Sequence, residues 1–215
     1  MHQRAVRGLV AAAATPFTEQ LLPDAGQLAR HCRRLLERGC DAVLVLGSTG
    51  EANSLSVEER LALLEHLDQA GLGPSLLVGV KNSGGEWSYT ARLLRELPRL
   101  SVFTGTEEHL LASLRLGGSG CISATFNVIA REAAPVYRGF GVLPDMQRIH
   151  HLQDRLTLLR RTFAGCSMIP AIKIVLGRLY PDEGWNRLRP PLTTLGDQEG
   201  AALLEGLRGA GVQGV

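Results

Sequence analysis

The alternation between short, continuous apolar runs and stretches with helical spacing most constrains how this chain can fold. Five apolar runs read as strands: Leu9–Ala13, Ala42–Leu46, Leu76–Val80, Ser101–Thr104 and Cys121–Thr125. Strands that alternate with helices form parallel sheets joined by right-handed crossovers. Because the apolar residues are consecutive rather than alternating with polar ones, we expect both faces of these strands to be covered. The pattern therefore predicts an α/β fold with about five parallel strands.

Capping signals mark where helices begin. Asp24 with Gln27, and Ser56 with Glu59, match the pattern in which an N-cap residue and the residue three positions on satisfy free N–H groups. Further helices are predicted over Trp87–Leu97, Glu108–Leu116, 131–139, 144–163, 169–178 and 198–208. The chain thus divides into a β/α region over residues 1–130 and a helical region over residues 131–215 that packs on it.

Composition and charge exclude several classes of protein. The 215 residues are 45% hydrophobic with a formal charge of +2, which favours one sizeable core and argues against disorder or nucleic-acid binding. No apolar run reaches the length of a membrane span, and we interpret Leu9–Ala14 as a buried strand rather than a secretory signal. The four cysteines form neither a CxxC pair nor a zinc spacing, so we expect buried, reduced thiols in a cytoplasmic protein.

Lysine is almost absent from the chain: of the 23 basic residues, only Lys81 and Lys173 are lysine. Arginine replaces lysine on a solvated surface but not as a nucleophilic amine. Lys81 follows the run Leu76–Val80 directly, where partial desolvation would favour a neutral amine able to form a Schiff base with a ketone. The alternative is a lysine that extends from a strand end into solvent. For Lys173, which lies among apolar residues of a helix, we favour a structural role.

Polar residues collect just after the strands, at the edge where parallel α/β folds form their sites. The turn Gly47-Ser48-Thr49-Gly50-Glu51 offers two hydroxyls and free backbone N–H groups, which suit a carboxylate. The alternative is an ordinary strand-to-helix turn. Other charged pairs have simpler interpretations: Glu58-Glu59 and Glu107-Glu108 as first-turn helix acids, Arg160-Arg161 as a solvated helix face, and His150-His151 as a solvated pair.

Five motifs, taken in order, resemble the dihydrodipicolinate synthase / N-acetylneuraminate lyase family. They are Thr15-Pro16-Phe17, GSTGE at 47–51, Lys-Asn-Ser-Gly-Gly at 81–85, Phe103-Thr-Gly-Thr106 and Gly-Cys-Ile-Ser-Ala-Thr-Phe-Asn at 120–127. Each is weak alone, but together they span most of the chain and keep the family's order. Arg189-Pro-Pro-Leu192 also fits.

The resemblance implies a fold, a chemistry and a set of site residues. Members are (β/α)8 TIM barrels with extra C-terminal helices, usually homotetrameric, which form a Schiff base between a strand-end lysine and pyruvate or a related 2-oxo acid. Lys81 matches that lysine, Ser48 and Thr49 match the hydroxyl pair that holds the carboxylate, and Gly105 and Ile122 match backbone positions near the lysine. No metal or organic cofactor is implied, and no nucleic acid or membrane partner. We therefore expect a cytoplasmic homo-oligomeric lyase or aldolase.

One departure from the family is large. The run Leu76–Val80 begins like the family's third strand, yet Lys81 matches a residue of the sixth. About three βα units are therefore missing, together with the family's catalytic tyrosine, and we expect an incomplete, TIM-barrel-derived fold with exposed strand edges. Two further hypotheses stay open: a catalytically inactive remnant that acts as a binding or assembly partner, and an open α/β sheet of unrelated function.

Overall fold

In the part of the chain that the structure describes, five parallel strands form the central sheet. The computed structural model describes residues 7–72, 79–82, 87–96, 101–181 and 184–215, with 79–82 described by their backbone. The strands are β1 Gly8–Ala12, β2 Ala42–Leu44, β3 Gly79–Asn82, β4 Ser101–Thr104 and β5 Gly120–Ser123. Each contains part of an apolar run of the sequence, and the predicted α/β class is confirmed.

The strand order is β2-β1-β5-β4-β3, and every pairing is parallel. In this order the first and last strands are neighbours, which is the adjacency that barrel closure produces, because a closed barrel pairs its first strand with its last. If three units are missing between β2 and β3, this order equals 2-1-8-7-6 of an eight-stranded barrel. The order therefore agrees with the incomplete barrel that the sequence predicts.

The described residues include eight α-helices, which surround the sheet or extend from it. They are α1 Ala25–Glu37, α2 Val57–Gln69, α3 Trp87–Glu96, α4 Leu110–Arg115, α5 Phe126–Gly139, α6 Met146–Thr162, α7 Met168–Leu179 and α8 Asp197–Gly209. Both capping signals are confirmed: the Asp24 carboxylate accepts a hydrogen bond from the Gln27 N–H at 2.8 Å, and Ser56 and Glu59 cap each other at 2.9 and 3.1 Å. The division of the chain at residue 130 stays a prediction.

Strands β2 and β5 each end two residues earlier than predicted, and two further boundaries that bear on the site were also wrong. Lys81 lies inside β3 rather than after it, because pairing with β4 continues as far as Asn82. Residues 76–78 of the expected strand lie outside the described residues. Helix α5 begins at Phe126, five residues before the predicted start. The first five residues of α5 are all buried, so they show no polar face from which a helical period could be read.

The two faces of the sheet pack against different groups. Leu9 and Ala11 of β1 and Cys121 of β5 join the main core, which the helices complete. Val10, Phe103 and Ile122 form a separate small cluster with the half-buried Ala42 and Leu44. This second cluster lies on the face that a closed barrel would turn inward.

The β2 edge of the sheet is only half-buried, whereas β1, β4 and β5 are buried throughout. Within the described part of the chain, β2 pairs with β1 alone and β3 with β4 alone. Strand edges of this kind present unpaired backbone groups that can pair with another chain.

All four cysteines are free thiols, and three of them are buried, in agreement with the sequence interpretation. Burial raises the pKa of Cys32 to about 11 and that of Cys40 to about 12. Such thiols stay protonated near neutral pH and react slowly. Among the described helices, not one has both the length and the apolarity needed to span a bilayer.

Candidate active site

The residues singled out in the sequence lie at or near the carboxyl ends of the strands. Lys81 is the third residue of β3 and pairs in register with Phe103 of β4. Gly105 follows β4 and is half-buried, whereas Ile122 lies in β5 and is 2% exposed. Ser48 and Thr49 lie in the turn after β2, where Ser48 is exposed and Thr49 is half-buried.

Lys81 and the Ser48-Thr49 turn belong to opposite edges of the sheet. The strand order separates β3 from β2 by four strand intervals, which amounts to about 19 Å along the sheet at the usual strand spacing. Curvature shortens the direct distance, because a barrel-like arc turns its two edges toward each other across a common mouth. A small ligand that reaches both groups must therefore lie in that mouth.

The hydroxyl turn is held in an unusual backbone conformation. Leu46 and Glu51, on either side of it, both have a φ of 56°. A non-glycine residue in this left-handed region costs ~1–3 kcal/mol and persists only where its surroundings fix it. The Thr15 hydroxyl, just beyond β1, donates a hydrogen bond to the Gly50 carbonyl at 2.7 Å. An added Cβ at Gly50 would lie 3.1 Å from the Ala13 carbonyl oxygen, so the turn packs closely on the end of β1.

The last residue of the motif, Glu51, forms a buried ion pair with Lys173 of α7. Their side chains are 0% and 1% exposed, and Lys173 Nζ lies 2.5 Å from Glu51 Oε1. Lys173 Nζ also donates to the Arg187 carbonyl at 2.7 Å and lies 4.4 Å from the centre of the Phe17 ring. Burial lowers the pKa of Lys173, and the contact with Glu51 opposes that shift. The structural role favoured for Lys173 agrees with these contacts.

A second cation, Arg189, ties the segment after α7 to the same region. Its guanidinium binds both carboxylate oxygens of Glu59 at 2.6 and 2.9 Å and also donates to the Leu21 and Ser54 carbonyls at 2.7 Å each. The Arg189 N–H donates to Glu51 Oε2 at 3.3 Å. The guanidinium of Arg189 lowers the pKa of Glu59 to about 2. Residues of the C-terminal part thus hold both ends of the segment from Glu51 to Glu59.

The structure also contains a buried acidic group whose environment the sequence did not reveal. Glu107 lies in the first helical turn after β4, as predicted, but its side chain is fully buried. It accepts a hydrogen bond from the Thr125 hydroxyl, which lies 3.0 Å from the Ser123 hydroxyl. Burial raises the pKa of the Glu107 carboxyl. In the sequence, the hydroxyl residues Ser123 and Thr125 within the otherwise apolar run Cys121–Thr125 were the available signal of a buried polar group.

The interpretation of Arg160-Arg161 as a solvated face was wrong for Arg160. Its side chain is 23% exposed, and its Nε lies 3.5 Å from Glu107 Oε2, whereas Arg161 is 66% exposed and pairs with Glu108. The correction has a tertiary cause, because α6 packs against the turn that carries Glu107. His150 and His151 are both exposed, as expected.

The parallel sheet, its barrel-like strand order and the helices packed on it place the chain in the class of TIM-barrel-derived α/β proteins. The model of the dihydrodipicolinate synthetase family matches residues 5–73 and 74–208 of this chain. The chain therefore belongs to that family, whose members are lyases and aldolases. The two matched segments meet between residues 73 and 74, a few residues before the discontinuity that the sequence indicates.

Individual relatives support the same assignment. An uncharacterised DapA-like lyase from Chloroflexus aurantiacus is 24% identical, over 92% of this chain and 94% of the relative. A 4-hydroxy-tetrahydrodipicolinate synthase from Synechococcus sp. is 41% identical, but over only 36% of this chain and 26% of that enzyme. The crystal structure of YagE, a dihydrodipicolinic acid synthase family protein of Escherichia coli K12 in complex with pyruvate, superposes with a TM-score of 0.82 at 18% identity, covering 96% and 99% of the two chains. This last likeness shows the fold.

The match with the Chloroflexus protein also measures what this chain lacks. It extends over 286 aligned positions, yet 92% of 215 residues is about 198. About 88 aligned positions therefore have no residue in this chain, and a barrel of about 250 residues has about 31 per βα unit. The difference corresponds to about three units, which is consistent with the sequence prediction.

Proposed function

We propose that this chain is a Schiff-base-forming aldolase or lyase that acts on pyruvate or a related 2-oxo acid. Lys81 is the nucleophile, Ser48 and Thr49 hold the carboxylate, and Gly105 and Ile122 line the site beside the lysine. The chemistry of the proposal comes from the family, and its residues are those that lie at or near the carboxyl ends of the strands. It includes no metal or organic cofactor.

The observation that carries the proposal is the contrast between the two lysines of the chain. Lys173 is buried, ion-paired and hydrogen-bonded, so its amine has no room for a ketone. Lys81 lies one residue before the end of β3, at the edge where parallel sheets form their sites. Lys81 pairs in register with Phe103 of β4, and Phe103 belongs to the small cluster with Val10 and Ile122 on the face that a closed barrel would turn inward. We therefore assign the covalent chemistry to Lys81 rather than to Lys173.

The chemistry follows from a neutral amine. Lys81 attacks the ketone carbon of the 2-oxo acid to give a carbinolamine, which takes up one proton from the solvent and loses water to leave an iminium ion. The iminium withdraws electrons, so a proton on the neighbouring carbon passes to water and the C–H electron pair forms an enamine. The enamine carbon then bonds to an electrophilic carbonyl or imine carbon, whose oxygen or nitrogen takes up a proton from the solvent. Hydrolysis of the new iminium returns that proton and releases the product and the free lysine.

The turn after β2 is suited to the other end of the substrate. The Ser48 and Thr49 hydroxyls donate hydrogen bonds without adding charge. They can therefore bind the substrate carboxylate without placing a second positive charge near the iminium cation. We expect Thr49→Val to raise the pyruvate concentration that half-saturates the site by about tenfold, which is the effect of losing one hydrogen bond to a charged group.

Reductive trapping tests the proposal directly. The purified chain is incubated with pyruvate and sodium borohydride, and peptide mapping locates the adduct. We expect the adduct on Lys81, none on Lys173, and none in Lys81→Arg, since a guanidinium forms no Schiff base. In a parallel sample in heavy water, NMR should show exchange of the pyruvate methyl protons, which requires the enamine. Absence of any adduct would overturn the proposal, and an adduct without exchange would favour the inactive remnant.

Assembly and location are part of the same proposal. The half-buried β2 edge supports a homo-oligomer, because association covers exposed strand edges. We propose that the enzyme works as a cytoplasmic homo-oligomer. Light scattering coupled to size-exclusion chromatography measures the assembly, and a monomer at micromolar concentration would contradict it.

A further inference from the structure

We infer that Lys173 is a positioning residue for the carboxylate-binding turn, so that one lysine of the chain reacts while the other shapes the substrate site. This inference rests on the proposed function, because it assigns a task to the turn that holds Ser48 and Thr49. It concerns α7, a helix far from that turn in sequence.

Glu51 connects the two elements. Its N–H donates to the Ser48 carbonyl at 3.1 Å, and the next residue, Ala52, donates to the Gly47 carbonyl at 3.3 Å. Glu51 is thus part of the hydrogen-bonded turn itself. Its side chain leaves the turn and ends on Lys173, so the position of the turn depends on where α7 places that amine.

The backbone gives an independent reason for an anchor. Glu51 has a φ of 56° without being glycine, and Leu46 at the other end of the turn has the same φ. Residues keep such a conformation only when surrounding contacts determine it. At Glu51 those contacts are the ion pair with Lys173 and the Arg189 N–H, which donates to Glu51 Oε2 at 3.3 Å.

Lys173 is itself held in place. Its amine donates to the Arg187 carbonyl at 2.7 Å and lies over the Phe17 ring, and its side chain is 1% exposed. Because two neighbours besides Glu51 hold this buried amine, it has little freedom to move and defines the position of the Glu51 carboxylate. Loss of the amine would leave the Glu51 carboxylate buried without this cation, and the turn would rearrange to bring it to water.

The test compares two ketones. Pyruvate has a carboxylate for the turn to bind, whereas acetone has none and requires only the reactive amine. Borohydride trapping on Lys81 is measured against the concentration of each ketone in the wild type, in Lys173→Met, and in Arg161→Met. The last variant is the control, because it removes a cation from an exposed ion pair between Arg161 and Glu108.

We expect Lys173→Met to raise the half-saturating pyruvate concentration by about tenfold or more, as for a lost charged hydrogen bond. Trapping of acetone should stay at the wild-type rate, and Arg161→Met should match the wild type with both ketones. An unchanged pyruvate concentration in Lys173→Met would overturn the inference. So would an equal loss with both ketones, since that would indicate general damage to the fold.

Two provisions keep the test decisive. If Lys173→Met does not fold, the double variant Lys173→Met, Glu51→Leu takes its place, because apolar replacement of both partners avoids an unpaired buried charge. The turn loses its anchor in that variant too, so the same shift with pyruvate alone is expected. If the wild type gives no pyruvate adduct, the proposed function is wrong. If the wild type gives the adduct but the variant has the wild-type half-saturating pyruvate concentration, only this inference is wrong.

Discussion

Arg189 and Glu59 form a two-point ion pair across 130 residues of sequence: Nη2 lies 2.6 Å from Oε1, and Nη1 lies 2.9 Å from Oε2. The side chains are only 15% and 25% exposed. Because Glu59 also caps α2, this pair fixes the segment after α7 to the beginning of that helix. The C-terminal part of the chain is thereby joined to the β/α part close to the hydroxyl turn.

We expect Arg189→Leu to lower the free energy of unfolding at pH 7 by ~1.5–3 kcal/mol, the range for hydrogen bonds to charged groups. The pKa of Glu59 is lowered to about 2 in the folded protein by Arg189, so the stability from the pair is present above the ordinary pKa of 4.5 and is lost as the pH falls toward 2. Urea unfolding at pH 7 and pH 3 measures both values. A deficit in Arg189→Leu that is as large at pH 3 as at pH 7 would contradict this account.

Glu107 should give the opposite pH dependence. Burial raises its pKa above the ordinary 4.5, so the folded state favours the protonated carboxyl and loses stability as the pH rises from about 4.5 through the folded value. We expect Glu107→Gln to remove this pH-dependent loss in the free energy of unfolding. The loss amounts to ~1.4 kcal/mol for each unit by which burial raises the pKa of Glu107. Urea unfolding of both proteins at pH 5 and pH 8 tests the prediction. Parallel pH dependences in the two proteins would show that Glu107 stays ionised when folded.

Asn127 should be important for stability. Its side chain accepts from the Ala14 N–H at 3.0 Å and donates to the Ala12 carbonyl at 2.7 Å, in a position that is 1% exposed. Leucine has a similar size but leaves both backbone groups buried without that partner, so we expect Asn127→Leu to cost ~2–4 kcal/mol. Thermal unfolding should show a Tm lower by about 5–15 °C. The exposed Gln147→Leu is the control, and an equal shift in both variants would contradict the prediction.

Two glycines should respond to alanine with opposite signs. Gly120 has a φ of 149°, and a Cβ there would lie 1.8 Å from the Gly8 carbonyl oxygen of the neighbouring strand. We expect Gly120→Ala to cost more than ~3 kcal/mol or to abolish folding, because two paired backbones would have to separate. Gly209, at the end of α8, has open space around it, so Gly209→Ala should stabilise by up to ~1 kcal/mol. Chemical unfolding of the two variants checks both signs.

The sequence determined the features that local chemistry controls. The five strand segments, the Asp24 and Ser56 caps, and Lys81 near the end of a strand were all predicted from residues within a few positions of one another. The order of the motifs also identified the family and the missing units. These predictions succeeded because helix caps, turn residues and strand runs need only neighbouring residues to form.

Tertiary structure alone decided which side chains meet. No local pattern joins Lys173 to Glu51, Arg189 to Glu59, or Arg160 to Glu107, since these pairs are separated by 50 to 130 residues and form only when helices pack on the sheet. Burial is equally non-local: it raises the pKa of Glu107 and hides the first turns of α5 from any periodic pattern. A residue's solvent exposure and charge partners depend on the whole packed core. That is the physical reason why the sequence could place Lys81 near a strand end but could not show that Lys173 pairs with Glu51.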